Sequence, residues 1–227
     1  MNVLVIGASR GIGWELVRQY LAAGHQVLAT ARDAMGQDRL QAVGAQALLL
    51  DVADPDSVSA LSGQLLGQTI DLALYVAGVF ALPDAKSAPT QQAFDAMMHT
   101  NVLGAMQVIP QVAPGVAEAQ GQLVFLSSDM GQVSGVSGSL AWLYRTSKAA
   151  LNMAVVAAQG DYPQAQFILM HPGWVKTDMG TANAPLSVEA SVSAMRQTLL
   201  AYPRPERPLT AQDVPYLTWD GRLFPSW

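Results

Sequence analysis

Two side chains four residues apart, Tyr144 and Lys148 in Tyr144-Arg145-Thr146-Ser147-Lys148, open the chemical reading of this chain. On a helix that spacing is just over one turn and places both on one face. A phenol whose pKa stays near 10 exchanges protons poorly with an alcohol or alkoxide at neutral pH, and needs that value lowered toward 7. One ammonium about 4 Å away, at an effective dielectric near 20, supplies roughly 4 kcal/mol, or about three pKa units. The pair suits acid–base work on an oxygen; its plainer reading is a helix-surface pair without a role.

Gly7-Ala8-Ser9-Arg10-Gly11-Ile12-Gly13 is the second chemical feature, lying between an apolar run and an amphipathic one. Glycines let the backbone approach a pyrophosphate closely, and a helix amino terminus offers free N–H groups and partial positive charge. The spacing is Gly-x-x-x-Gly-x-Gly rather than the usual Gly-x-Gly-x-x-Gly of dinucleotide sites. Gly7 to Gly11 also fits Gly-x-Ser-x-Gly, a nucleophile elbow. Only one strand precedes Ser9, however, and nothing places His171, the only late histidine, beside it. The hydrolase reading is the weaker one.

Other chemistries are excluded by composition. The chain has no cysteine, so disulfides, thiol catalysis and thiolate metal sites are absent. Its three histidines, His25, His99 and His171, are too scattered for a metal-ligand pattern, so no metal is expected. A net charge of −5 with 13% charged residues provides no cationic stripe for nucleic acid. No apolar run reaches the ~18–20 residues that span a bilayer. Nor does a basic region precede the short apolar run from Met1 to Ile6. The expectation is a cytoplasmic protein with no membrane or nucleic-acid partner.

The elements that position these residues alternate along all 227 residues. Apolar runs at Asn2–Ile6, Gln26–Thr30, Ala47–Leu50, Asp71–Val76, Gln122–Ser127 and Gln166–Met170 read as strands buried on both faces. Helical patterns lie between them at about Gly11–Ala23, Asp56–Leu66, Gln91–Gln111 and Ala141–Gln159, with another near Val188–Leu200. Asp54-Pro55-Asp56 resembles a helix start, whereas Pro110 and Pro114 should end or bend the helix they fall on. The Pro-rich Tyr202–Pro208 reads as a surface connection to a last strand near Tyr216–Trp219. The predicted fold is α/β: one Rossmann-type domain over 1–227, a doubly wound parallel sheet of about seven strands flanked by helices.

Gly7–Gly13, Asn101, Ser128, Tyr144 and Lys148 together resemble the short-chain dehydrogenase/reductase family over nearly the whole chain. The stretches Tyr144–Asn152, His171–Met179 and Ala184–Glu189 are most similar to the C-factor-like and sniffer-type carbonyl reductase branch. The resemblance implies that Tyr144 exchanges the proton, while Lys148 lowers its pKa and holds the nicotinamide ribose. It also implies that Ser128, rather than its neighbour Ser127, bonds the substrate oxygen, and that Asn101 binds a water feeding a proton relay to Lys148. Their plainer readings are backbone-capping hydroxyls and a helix asparagine bonded to backbone.

For the cofactor, the resemblance places Gly7, Ser9, Arg10, Gly11, Ile12 and Gly13 at the pyrophosphate and Asp51-Val52 at the adenine. Ala77 and Gly78 fall at the adenosine ribose, and Pro172, Gly173, Val175 and Thr177 at the nicotinamide. Ala31 stands where NAD-preferring relatives carry an acid, with Arg32 next to it, so Arg32 and Arg10 favour NADP(H) over NAD(H) by clamping a 2′-phosphate. Asp33, slipped by two residues, would serve NAD instead. One departure is that Tyr75-Val76-Ala77-Gly78 stands where the family usually has Asn-Asn-Ala-Gly, which removes side-chain bonds bracing the neighbouring strands. Met130, Trp142, Trp174 and Met179 are expected to wall an open pocket for a small apolar carbonyl compound or alcohol. The alternatives are a catalytically weak NAD(P)-binding sensor of the C-factor-like type, or an acyl-carrier-linked 3-ketoacyl reductase. A homodimer or homotetramer would follow from the family's habit of pairing through the asparagine and tyrosine helices.

Overall fold

Short strands with Val, Leu and Ile on both faces leave no side for water, so they must lie in a sheet covered twice. The computed structural model, which describes residues 1–227, satisfies this with seven parallel strands. They are β1 (Asn2–Ile6), β2 (Gln26–Ala31), β3 (Gln46–Leu49), β4 (Leu72–Tyr75), β5 (Gln122–Leu126), β6 (Gln166–His171) and β7 (Tyr216–Thr218). Their order across the sheet is β3-β2-β1-β4-β5-β6-β7. Register pairs Val5 with Leu74 and Ile6 with Tyr75, so the loops after β1 and β4 leave the sheet side by side. Winding reverses between β1 and β4, and that reversal opens a crevice at the carboxyl ends of the strands.

Helices α1 (Gly11–Ala22), α2 (Ala34–Ala42) and α8 (Val188–Ala201) accompany one core layer, built on Val5, Leu16, Leu74, Ile168 and Met195. The opposite layer contains Leu4, Ile6, Val112, Phe125, Leu151 and Phe167. It is covered by α3 (Pro55–Ser59), α4 (Leu61–Gln64), α6 (Gly104–Glu118) and α7 (Trp142–Ala158), with α5 (Gln91–Met98) leading into α6. Asp54 does cap α3, with Pro55 in its first turn.

Three sequence expectations need correction. Residues Ala34–Ala42 form α2, although their apolar pattern is too weak to announce a helix. The helix expected at Asp56–Leu66 is divided at Ala60 into α3 and α4. The one expected at Gln91–Gln111 consists of α5, a wide π turn over His99–Leu103, and α6, which runs to Glu118. Pro110 and Pro114 lie inside α6 and do not end it. Both are exposed and one turn apart, so the carbonyls left without an N–H donor face water.

Candidate active site

The crevice begins where Gly7 lies against the loop after β4. Gly7 has φ +87°, and a Cβ there would come within 2.8 Å of the Ala77 backbone nitrogen. Arg10 gives α1 no side-chain cap, and the amides of Gly11, Ile12 and Gly13 have no acceptor. Free amides at the positive end of a helix are suited to a phosphate group. A cleft of about 280 Å³ runs from this loop to Tyr144 and Lys148. Of the expected nucleotide residues, Gly7, Ser9, Arg10, Gly11, Ile12, Arg32, Asp51, Val52, Ala77, Gly78, Lys148, Pro172 and Thr177 line it. Gly13, Gly173 and Val175 stand behind: a Cβ on Gly13 would strike the Gly7 carbonyl, and one on Gly173 the Trp219 ring. Val175 is buried.

At the far end of the cleft β2 finishes at Ala31, and the exposed Arg32 follows. Asp33 Oδ1 accepts the Gly36 N–H at 2.7 Å and caps α2, and Asp33 is not among the residues that line the cleft. Arg10 pairs with Asp178 at 3.2 Å, joining the glycine loop to the segment after β6. Asp51 lines the cleft while its Oδ1 also accepts the Ala53 N–H, so it serves a turn as well.

At the other end, the chain enters α7 through Ala141, a buried alanine in the left-handed region (φ 57°, ψ 36°). Such a residue costs roughly 1–2 kcal/mol relative to right-handed backbone. The first turns of α7 then direct Tyr144 and Lys148 inward, both buried. Lys148 Nζ donates to the Leu126 carbonyl at 2.8 Å and lies 5.7 Å from the Tyr144 ring centre. Ser128 Oγ donates to Asp129 and accepts the Met130 N–H at 3.2 Å. The Ser127 hydroxyl turns instead to Asn152 at 2.6 Å.

Burial decides the protonation of the pair. It raises the Tyr144 pKa, against a lowering by hydrogen bonding with Ser128, while the Asp129 charge raises it further. Burial also lowers Lys148 to about 8. Burial thus works against the lowering expected from Lys148, whose ammonium donates to the Leu126 carbonyl. A tyrosine held neutral in this way keeps its proton at neutral pH but is the weaker acid for it, so its release needs a neighbouring positive charge.

Asn101 sits in the π turn, wholly buried. A Cβ on Gly78 would lie 3.4 Å from Asn101 Oδ1 and 3.7 Å from Lys148 Nζ, so the two groups flank the gap that Gly78 leaves.

The residues expected to wall the substrate are placed as follows. Met179 lines the cleft, and Met130 packs on the small cluster of Met97, Ala141, Leu143 and Tyr144. Trp142 and Trp174 do not line the cleft: Trp142 is half-buried, and Trp174 is exposed, with its indole donating to the Gly180 carbonyl. Three residues escaped the sequence reading. Phe80 meets the Tyr144 ring edge-on at 4.8 Å. Tyr75, where the family asparagine is missing, donates its hydroxyl to the Thr100 carbonyl at 2.8 Å and so braces β4 against the π turn. Tyr216 donates to the Ser128 carbonyl. Each partner is distant in sequence, and no local signal marks it.

With this geometry in place, comparison with known proteins identifies the class. The family model described as short chain dehydrogenase matches residues 1–185, and the chain belongs to that family of oxidoreductases. Among individual relatives, it is 38% identical over 102 residues to C-signal of Myxococcus xanthus, covering 44% of this chain and 61% of that protein. Among solved structures it is similar to a carbonyl reductase from Pseudomonas aeruginosa PAO1 in complex with NADP. That likeness has 30% identity and a TM-score of 0.81, and covers 100% of this chain and 99% of the other. The carbonyl reductase Sniffer of D. melanogaster shares the fold, at 24% identity and TM-score 0.86, with 100% and 99% of the two chains covered.

Proposed function

We propose that residues 1–227 form a single NADP(H)-binding domain that interconverts a small apolar carbonyl compound and its alcohol, working in the cytoplasm without nucleic acid. The observation that carries this reading is one cleft with Arg10 and Arg32 at one end and Tyr144 and Lys148 at the other. The free amides of α1 and the Gly7 cradle fit a dinucleotide, which supplies the hydride when bound. Gly7 to Gly13 receive the pyrophosphate, and Arg32, with Arg10 released from Asp178, clamps the 2′-phosphate. The likeness to the NADP complex of the Pseudomonas enzyme supports that preference.

At the reacting end, Tyr144 donates its proton to the carbonyl oxygen, and Lys148 beside it works against the raising of its pKa by burial. Ser128 fixes the same oxygen, and Lys148 holds the ribose and replenishes the proton. A water in the gap at Gly78 connects Lys148 to Asn101. Phe80, Met130 and Met179 give the carbonyl compound an apolar wall. Exposed Leu103, Met106 and Met153, at the π turn, α6 and α7, support pairing into a homodimer or homotetramer.

The test is separate fluorescence titration with NADPH and NADH, followed by turnover on a panel of aldehydes and ketones by wild type and Tyr144→Phe. NADPH should bind more tightly than NADH to both proteins, and the variant should lose about 10³-fold in kcat. Binding without turnover of any carbonyl compound favours a sensor, and absence of nucleotide binding sinks the proposal.

A further inference from the structure

Asp129, next to Ser128, has no part in the reaction just proposed, yet its side chain and its backbone are both held. Its Oδ1 accepts the Ser128 hydroxyl at 3.0 Å, and its backbone N–H donates to His171 Nδ1 at 3.2 Å. Tyr216, bonded to the Ser128 carbonyl, fixes the same short segment from a third side. The Asp129 side chain is nevertheless 58% exposed, so its charge stands in solvent beside the Ser128 hydroxyl.

The charged and titratable groups around it leave that charge unbalanced. His171, from β6, is the only basic group in ion-pair reach, at 3.8 Å. It accepts the Asp129 N–H at Nδ1 and is kept neutral by burial. Lys148, from α7, points to the Leu126 carbonyl, and Arg222 is engaged by Asp220, itself a second negative charge near His171. Tyr144 and Tyr216 are neutral and both feel the Asp129 charge.

We infer that Asp129 is a specificity-determining residue that selects neutral or cationic carbonyl compounds and rejects carboxylate-bearing ones. The inference rests on the proposed reductase reading. An anionic group on a substrate held by Ser128, whose hydroxyl is bonded to Asp129, meets uncompensated repulsion in a partly solvated site. That repulsion is worth roughly tenfold in kcat/KM at low ionic strength, and less as salt screens it. The same charge opposes ionisation of Tyr144.

Reduction of 4-nitrobenzaldehyde and 4-carboxybenzaldehyde with NADPH, by wild type, Asp129→Asn and Asp129→Ala, tests it. Asparagine keeps an acceptor for Ser128 and removes the charge, whereas alanine removes both. NADPH titration verifies that each variant is folded. Expected is a wild-type preference for the neutral aldehyde that shrinks about tenfold in both variants at low salt. The alkaline limb of alcohol oxidation should also move to lower pH in Asp129→Asn. A preference unchanged in both variants overturns the inference while leaving the reductase reading intact. So does a preference lost only in the alanine variant, which would mark a purely structural role. If wild type binds NADPH but reduces neither aldehyde nor any other carbonyl compound, the reading fails and the inference falls with it.

Discussion

Asn101 grips the backbone of Val79 at both ends, accepting its N–H at 2.8 Å and donating to its carbonyl at 2.9 Å. The same carboxamide donates to Ser147 Oγ at 2.9 Å, which ties the loop after β4 to the helix carrying Tyr144 and Lys148. The π turn is what makes this reach possible, since a widened turn at His99–Leu103 presents one side chain to two other elements. The asparagine is thus a joint of the site, and its plainer reading as a backbone-bonding residue is also true.

Asn101→Ala should therefore loosen the site as well as destabilise the fold. Buried partners left unpaired cost ~1–3 kcal/mol each, and some relaxation is available, so a loss of about 3 kcal/mol is expected. For a chain of this size that lowers Tm by roughly 6–12 °C. Thermal unfolding with and without NADPH measures it, and a Tm within a degree of wild type would show that the joint carries no load.

Lys148 imposes a cost on the fold that pH reveals. Its pKa falls from 10.5 to about 8, so between those values the unfolded chain holds a proton that the folded one has released. Stability consequently rises with pH across that window, by up to roughly 3 kcal/mol. The buried tyrosines, with raised values, work the other way only above about pH 10. Lys148→Met removes the cost but also the bond to the Leu126 carbonyl. It should be about 1–2 kcal/mol more stable than wild type at pH 7, with the gap closing by pH 10, and inactive. Denaturant titrations at pH 7, 8.5 and 10 check the difference, and a gap independent of pH would refute it.

How much of this was legible in the sequence depends on how far apart the partners are. Tyr144 and Lys148 were readable because a helix fixes their relation locally, and the strand runs because a parallel sheet is apolar on both faces. Arg32 is readable from its position after β2, whereas the capping of α2 by the competing Asp33 is visible only in the fold. α6 ran through Pro110 and Pro114 because both face water, which the sequence does not state. Trp142 and Trp174 are not among the residues lining the cleft, and their orientation depends on tertiary packing that the sequence does not state. The lowering of Tyr144 by Lys148 is argued from charge, whereas the opposing effect of burial on the same hydroxyl is set by the fold.

Tyr216 is a further case of a long-range partner. Its hydroxyl supports the Ser128 carbonyl, and its ring packs against Phe224 and Trp227 at 4.4 and 5.5 Å between centres. Tyr216→Phe keeps the packing and drops one buried bond, at a cost of ~1–2 kcal/mol. If Ser128 fixes the substrate oxygen, kcat should fall severalfold while NADPH affinity stays within twofold of wild type. Steady-state kinetics beside nucleotide titration separates the two, and an equal loss in both would place Tyr216 in general stability only.

The Arg10–Asp178 pair leads to the last prediction. Both side chains are largely exposed, at 71% and 81%, so the pair itself stabilises the fold by at most about 1 kcal/mol. Its effect should appear in cofactor choice, because Arg10 must leave Asp178 before it can meet a 2′-phosphate. Asp178→Asn should tighten NADPH binding severalfold at low salt and leave NADH unchanged. Arg32→Ala should weaken NADPH about 10- to 100-fold, again with little effect on NADH, as loss of a charge-assisted phosphate contact implies. Parallel titrations of both nucleotides at two salt concentrations decide the matter. Equal shifts for NADPH and NADH would mean that neither arginine reads the 2′ position.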